Sequence, residues 1–200
     1  MTNTPRPSRT PTPINTQCPN NKNCDFEKGR NGDWTEFSSN NYAIISTETT
    51  AQINAHSGTW LAWLGGSNNE VALLAQTVTI PAAKPYLQLS YFIGSLETDC
   101  SDTNNIYDVA YIRINDTAIG ASALCVDTKT GDWVTEALTA TQFAGQTVQV
   151  SIVVETDGSL NSNLFVDDVL FVAAPTQFGR MSQNQVPDKN KLKIPMGKDK

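Results

Sequence analysis

The sequence predicts an all-β chain folded as a two-sheet antiparallel β-sandwich, on three observations. Apolar residues recur with period two between residues 24 and 172, helix-period patterns are absent there, and clusters of Gly, Asn, Ser and Pro divide that stretch into about ten short pieces. Half-buried strands of that number, without helices to cover them, bury their apolar faces against one another.

Taken in order, the predicted strands are Trp34–Phe37, Ala43–Ser46, Thr59–Leu64 and Leu73–Ile80, the third ending at the Gly65-Gly66 turn. Leu87, Leu89, Tyr91 and Ile93 share one face of a fifth strand against Gln88 and Ser90. Strands at Tyr107–Ile114 and Thr117–Leu124 flank Asn115-Asp116, residues that accept the positive φ angles of a tight hairpin. In the first of these, Val109, Tyr111 and Arg113 oppose Ala110, Ile112 and Ile114. Asn115-Asp116-Thr117 is also a glycosylation sequon, which the hairpin explains equally well. Trp133–Ala137 follows. Val148, Val150, Ile152 and Val154 then form one face of a further strand, with Gln149, Ser151 and Glu155 facing outward beside Val153. Leu164–Val172 closes the series.

The 200 residues suit one compact domain, residues 24–174, with additional ends. Residues 1–23 are a Pro/Thr-rich linker that runs into a first disulfide region, and residues 175–200 form a polar tail made basic by Lys189, Lys191, Lys193, Lys198 and Lys200. No apolar run approaches the roughly 20 residues of a membrane span, and the first residues lack a basic-then-apolar secretion signal, as in a mature or excised fragment.

Formal net charge is −6, yet between Cys24 and Val172 the only basic residues are Lys28, Arg30, Lys84, Arg113 and Lys129. An acidic body repels phosphate backbones, so nucleic acid is excluded as a partner and membrane insertion is not expected; cations and neutral ligands fit.

Cys18, Cys24, Cys100 and Cys125 are even in number and show no C-x-x-C spacing, and His56 is the only histidine. They read as disulfides, which places the chain outside the cell, secreted or on the cell surface. Three connectivities are open; nearness in the chain favours Cys18 with Cys24 and Cys100 with Cys125.

No G-x-S-x-G elbow, H-E-x-x-H, Walker loop or dinucleotide glycine pattern occurs, and His56 falls in a turn. Glu36, Glu48, Glu70, Glu97, Asp99 and Asp102 supply carboxylates, but no spacing selects a catalytic pair. The expectation is a protein that is not an enzyme.

Two acidic pieces are placed for metal binding: Asp25-Phe26-Glu27 near the front and Val166-Asp167-Asp168-Val169 near the end. Read as first and last strands lying side by side, they would bring carboxylates together, and a calcium ion would offset the repulsion. Alternation sends Asp167 and Asp168 to opposite faces, so one of the two is expected to bind. For a ligand face, flat aromatic rings flanked by polar groups suit sugars. Trp63, Tyr107 and Trp133 are candidates, with the polar loop Glu97-Thr98-Asp99 beside Cys100; Trp60 and Trp63, three apart on one strand, face opposite sides.

Several fragments in order resemble the jelly-roll modules of secreted bacterial proteins, the galactose-binding-like, carbohydrate-binding and MAM-like group. They are Asp25-Phe26-Glu27-Lys28-Gly29, Gly32-Asp33-Trp34-Thr35, Ala55 through Gly66, Ala144-Gly145-Gln146-Thr147-Val148, and Leu164 through Val169. The resemblance spans residues 24–172. It implies a jelly-roll sandwich and a structural calcium held by Glu27, by backbone oxygens of the Ala55–Gly58 turn around Ser57, and by Asp167, with Asp25 and Asp168 in reserve. It further implies a non-catalytic carbohydrate-binding or adhesion module, whose partners are a glycan or cell-surface polymer and the rest of a multidomain secreted protein. The alternative is a structural subunit of a surface filament or layer, self-associating through its terminal arms.

Overall fold

The computed structural model describes residues 18, 20–98, 100 and 107–175, with ten strands in two five-stranded antiparallel sheets. The first sheet runs β1 (Thr35–Ser38), β4 (Val71–Thr79), β9 (Thr147–Glu155), β6 (Val109–Ile114), β7 (Thr117–Ala123). The second runs β2 (Ile45–Thr47), β3 (Trp60–Gly65), β10 (Ser162–Val172), β5 (Tyr86–Ser95), β8 (Val134–Thr139). From β3 to β6, and again from β7 to β10, the chain changes sheet at every strand, which is the winding of a jelly roll. The ten expected strands all form, with ends shifted by a residue or two.

Period two explains the core. Val148, Val150, Ile152 and Val154 of β9 face Leu87, Leu89, Tyr91 and Ile93 of β5 across the sandwich, all buried in one cluster. Each such aliphatic side chain contributes about 1.5–3 kcal/mol by leaving water. Val153, on the opposite face of β9, is buried too, in a smaller cluster with Val109, Tyr111 and Ala121. Among the described residues the α-helix is a single turn, α1 (Glu48–Ala51), N-capped by Thr47, whose Oγ1 accepts from the Thr50 amide. In the β6–β7 hairpin Asn115 takes a φ of 51°.

The disulfides join Cys18 to Cys24 and Cys100 to Cys125, the pairing that nearness favours. Residues just before the sandwich are tied to it: the Lys22 amide donates to Gln76 Oε1, and Gln76 Nε2 donates back to the Lys22 carbonyl. The expectations for residues 1–17 and 176–200 lie outside the described residues.

One expectation needs correction. The first and last strands do not pair, because β1 sits at the edge of the first sheet beside β4, whereas β10 lies in the middle of the second. Asp25-Phe26-Glu27 is not a strand either: it is a turn with Phe26 at φ 57°. The meeting of front and end comes from this turn. Phe26 is fully buried against Trp34, with ring centroids 5.7 Å apart, and the Val169 amide donates to the Cys24 carbonyl at 2.8 Å.

Candidate functional site

The acidic cluster is built on a bulge in β10. Register shifts between Asp167 and Leu170, and Asp168 adopts a φ of 50°, so the strand bends where alternation would have separated the two carboxylates. Both consequently reach the turn at residues 55–58. Asp167 Oδ2 accepts from the Ser57 amide at 2.9 Å, Asp168 Oδ1 accepts from Ser57 Oγ at 2.8 Å, and His56 Nδ1 lies 2.6 Å from Asp168 Oδ2. The expectation of opposite faces is overturned by that bulge.

Glu27 closes over the same turn. Its Oε1 accepts from the amides of Thr59 at 2.8 Å and Trp60 at 2.7 Å. The contact is so close that a Cβ on Gly58, itself at φ +58°, would lie 2.2 Å from the Glu27 carboxyl carbon. Asp25 instead lies beside the Cys18–Cys24 bridge, its carboxylate within 4.8 Å of both sulfurs. Those sulfurs are bonded to each other and offer no thiolate to a metal.

Asp167 is completely buried. Burial, then the Asp168 carboxylate and, less strongly, Glu27, pushes its carboxyl up to about 8 against the pull of the Ser57 and Asp168 amides. Among the described residues no Lys or Arg forms an ion pair with Glu27, Asp167 or Asp168. Glu27, Asp167 and Asp168 thus meet on one turn, whose amides, with Ser57 Oγ and His56, occupy several of their oxygens, and carboxylate oxygens are the ligand type a hard divalent cation takes.

The second feature is a row of rings on the outer face of the second sheet. Trp63 of β3, Phe165 of β10 and Phe92 of β5 are paired across strands, with centroids 5.6 Å and 6.1 Å apart; Trp133 follows Phe92 at 6.4 Å, and His56 meets Trp133 edge-on at 5.7 Å. His56 thus touches both the row and the acidic cluster. Trp60 points into the core, as expected from its three-residue offset from Trp63. Beyond the row, Asn163 stands between Gly65 and Gly94 on the neighbouring strands and accepts from Trp63 Nε1 at 2.9 Å.

Two cavities open off this end of the face. One, of about 370 Å³, is lined by Tyr42, Ser46, Trp63, Gly66 and Glu70 among others. The other, of about 390 Å³, is lined by Phe92, Gly94, Leu96, Lys129 and Asn163 among others.

Of the residues singled out for a ligand, the structure brings Trp63 and Trp133 into one row and leaves the others apart. Glu97 is buried near Asp108, Tyr107 is half-buried ahead of β6 in the other sheet, and Asp99 lies outside the described residues. Phe92, Phe165, Asn163 and Glu70 were not singled out. Phe92 and Phe165 carried a signal, since strand parity sets them opposite the core residues Tyr91 and Leu164.

The carbohydrate-binding module TmCBM61, solved in complex with β-1,4-galactotriose, superposes with a TM-score of 0.53 at 13% identity, over 76% of this chain and 97% of that one. This chain has the same jelly-roll sandwich fold. The K2 adhesin domain of Lys-gingipain matches with a TM-score of 0.50 at 14% identity, over 75% and 96% of the two chains. A Stig cyclase from Fischerella sp. TAU is similar more loosely, with a TM-score of 0.45 at 17% identity over 78% and 97%. No family model and no curated protein matches the sequence.

Proposed function

We propose that this chain is a non-catalytic extracellular module that binds carbohydrate and is stabilised by calcium. The observation that carries the reading is the row Trp63–Phe165–Phe92–Trp133 on the outer face of a sheet: Phe165 is buried with Ala51 and Leu61, whereas Trp63, Phe92 and Trp133 are only partly covered, and their ring faces suit the apolar faces of sugars. The jelly-roll fold, shared with carbohydrate-binding and adhesin domains, supports it. Two disulfides suit an oxidising compartment.

Glu27 and Asp167 would hold the ion, together with carbonyl oxygens of the 55–58 turn. Such an ion would supply the positive charge that lets Asp167 stay ionised while buried, and Glu27 and Asp167 would then hold the front turn against β10.

The test is a glycan array probed with the full chain in calcium buffer. Binding to one class of glycan, lost in Trp63→Ala with folding intact, is the expected result. No binding to any glycan removes the reading.

A further inference from the structure

Two residues that line the cavity beside Trp63, Glu70 and Ser46, each carry a buried polar atom without a hydrogen-bond partner. Glu70 is 1% exposed; its Oε2 accepts from Ser39 Oγ and from the Asn40 amide, both at 3.2 Å, while its Oε1 is buried without a partner. Ser46, on β2, is 7% exposed, and its Oγ is likewise buried and unpaired. Both residues line the same cavity. Buried acceptors are nearly always satisfied, and an unsatisfied carboxylate oxygen is among the least tolerated of groups.

The walls complete the description. Trp63 forms one side, its indole pressed so closely on Gly66 that a Cβ there would sit 2.8 Å from the ring, and its Nε1 fixed by Asn163. Tyr42 stands at the mouth, 57% exposed, the most exposed aromatic side chain among the described residues. A volume of about 370 Å³ is at the small end of ligand pockets, which run from about 300 to 1,000 Å³.

We propose that the cavity bounded by Tyr42, Trp63, Ser46 and Glu70 is the saccharide site: a sugar ring enters between the two aromatic walls, one hydroxyl donates to Glu70 Oε1, and another pairs with Ser46 Oγ. This rests on the carbohydrate-binding reading and gives that reading a place and a polarity. A quaternary ammonium would also suit an acid beside aromatic rings, but it has no hydrogen-bonding group to offer Ser46. The other cavity is a weaker site. Asn163, its central amide, already accepts from Trp63 and donates to Gly94 and Asn161, and Lys129 on its wall is exposed to water, so none of its lining residues holds a buried polar atom without a partner.

The test uses β-1,4-galactotriose and an oligosaccharide array on the full chain in calcium buffer, followed by titration calorimetry of the best binder against variants. Glu70→Gln can keep the Ser39 and Asn40 bonds through its carbonyl while presenting an amide donor where an acceptor stood. Affinity should fall about 10- to 100-fold, the range for a hydrogen bond to a charged group. Tyr42→Ala, at an exposed position where folding is not at stake, should also weaken binding about tenfold by removing a stacking wall. Leu96→Ala, in the other cavity, should bind as the native chain does. If the native chain binds but Glu70→Gln and Tyr42→Ala bind equally well, or only Leu96→Ala fails, the assignment of the site is overturned while carbohydrate binding stands. If the native chain binds no glycan, both are overturned.

Discussion

The backbone amide of Val169 donates to the carbonyl oxygen of Cys24 at 2.8 Å, so the turn that opens the fold is stitched to the bulge in its closing strand. Asn21 Nδ2 donates to the Val169 carbonyl from the same side. Glu27, Asp167 and Asp168 lie around this stitch, and the front of the chain is held further by Gln76, by the Thr59 and Trp60 amides on Glu27, and by Phe26 and Trp34 in the core. A cation that neutralised these acids would add to the docking of the front turn.

Calcium should raise the melting temperature. An ion present at about 100 times its dissociation constant adds about 2.7 kcal/mol, which for a domain of this size is about 5–10 °C. Differential scanning calorimetry in EDTA and in calcium should show that difference, with magnesium giving less because its smaller shell tolerates irregular oxygen cages poorly. Identical transitions in EDTA and calcium would show that no ion docks the turn.

The metal-free protein should weaken as pH rises from about 5 to 8. Asp167 has an ordinary value of 3.8 unfolded and about 8 folded, so within that window the folded state keeps a proton that the unfolded state has released. Stability is then fully present below about pH 4 as far as this group is concerned. It falls by up to about 1.4 kcal/mol for each pH unit until the folded carboxyl ionises. Asp108, raised chiefly by its burial, acts in the same direction. Urea unfolding in EDTA at pH 5 and pH 8 should show the loss. Calcium should flatten it, and Asp167→Asn, which needs no proton, should reduce it without calcium.

Opening the Cys18–Cys24 bridge should loosen the cluster without unfolding the sandwich. The bridge spans six residues and, as the closure of so short a loop, is worth about 2 kcal/mol. Its position matters more, since Cys24 carries the carbonyl that Val169 holds and Glu27 follows three residues later. The double variant Cys18→Ser/Cys24→Ser should keep a cooperative transition and bind calcium about tenfold more weakly by titration calorimetry.

The strands were legible because each is half-buried, which writes a period of two into residues such as Val148, Val150, Ile152 and Val154. The acids were legible as a meeting of two ends, but the means were not. Asp25-Phe26-Glu27 carries no mark of a turn, since Phe26 at φ 57° is held there by its packing on Trp34 and not by residue type. The bulge that turns Asp168 beside Asp167 has no Gly to announce it. Glu70 was one carboxylate among many, and its burial is visible only once Ser39 and Asn40 fold over one oxygen and leave the other bare.

Gly58 should be the least replaceable residue of the cluster. At φ +58° an L side chain is already strained, and its Cβ would lie 2.2 Å from the Glu27 carboxyl carbon and 2.3 Å from Oε1, nearer than atoms can approach. Either Glu27 swings away, giving up the amides of Thr59 and Trp60, or the 55–58 turn shifts and carries the Ser57 amide off Asp167. Both routes dismantle the proposed cation site. Gly58→Ala should therefore destabilise the calcium-loaded protein by more than about 2 kcal/mol, while the variant alone in EDTA should differ less from the native chain in EDTA. Gly131→Ala, at φ +70° with nothing within 4 Å of the new methyl, carries backbone strain without the collision and should leave the response to calcium intact. Equal calcium-induced shifts in melting temperature for Gly58→Ala and Gly131→Ala would show that the turn does not shape an ion site.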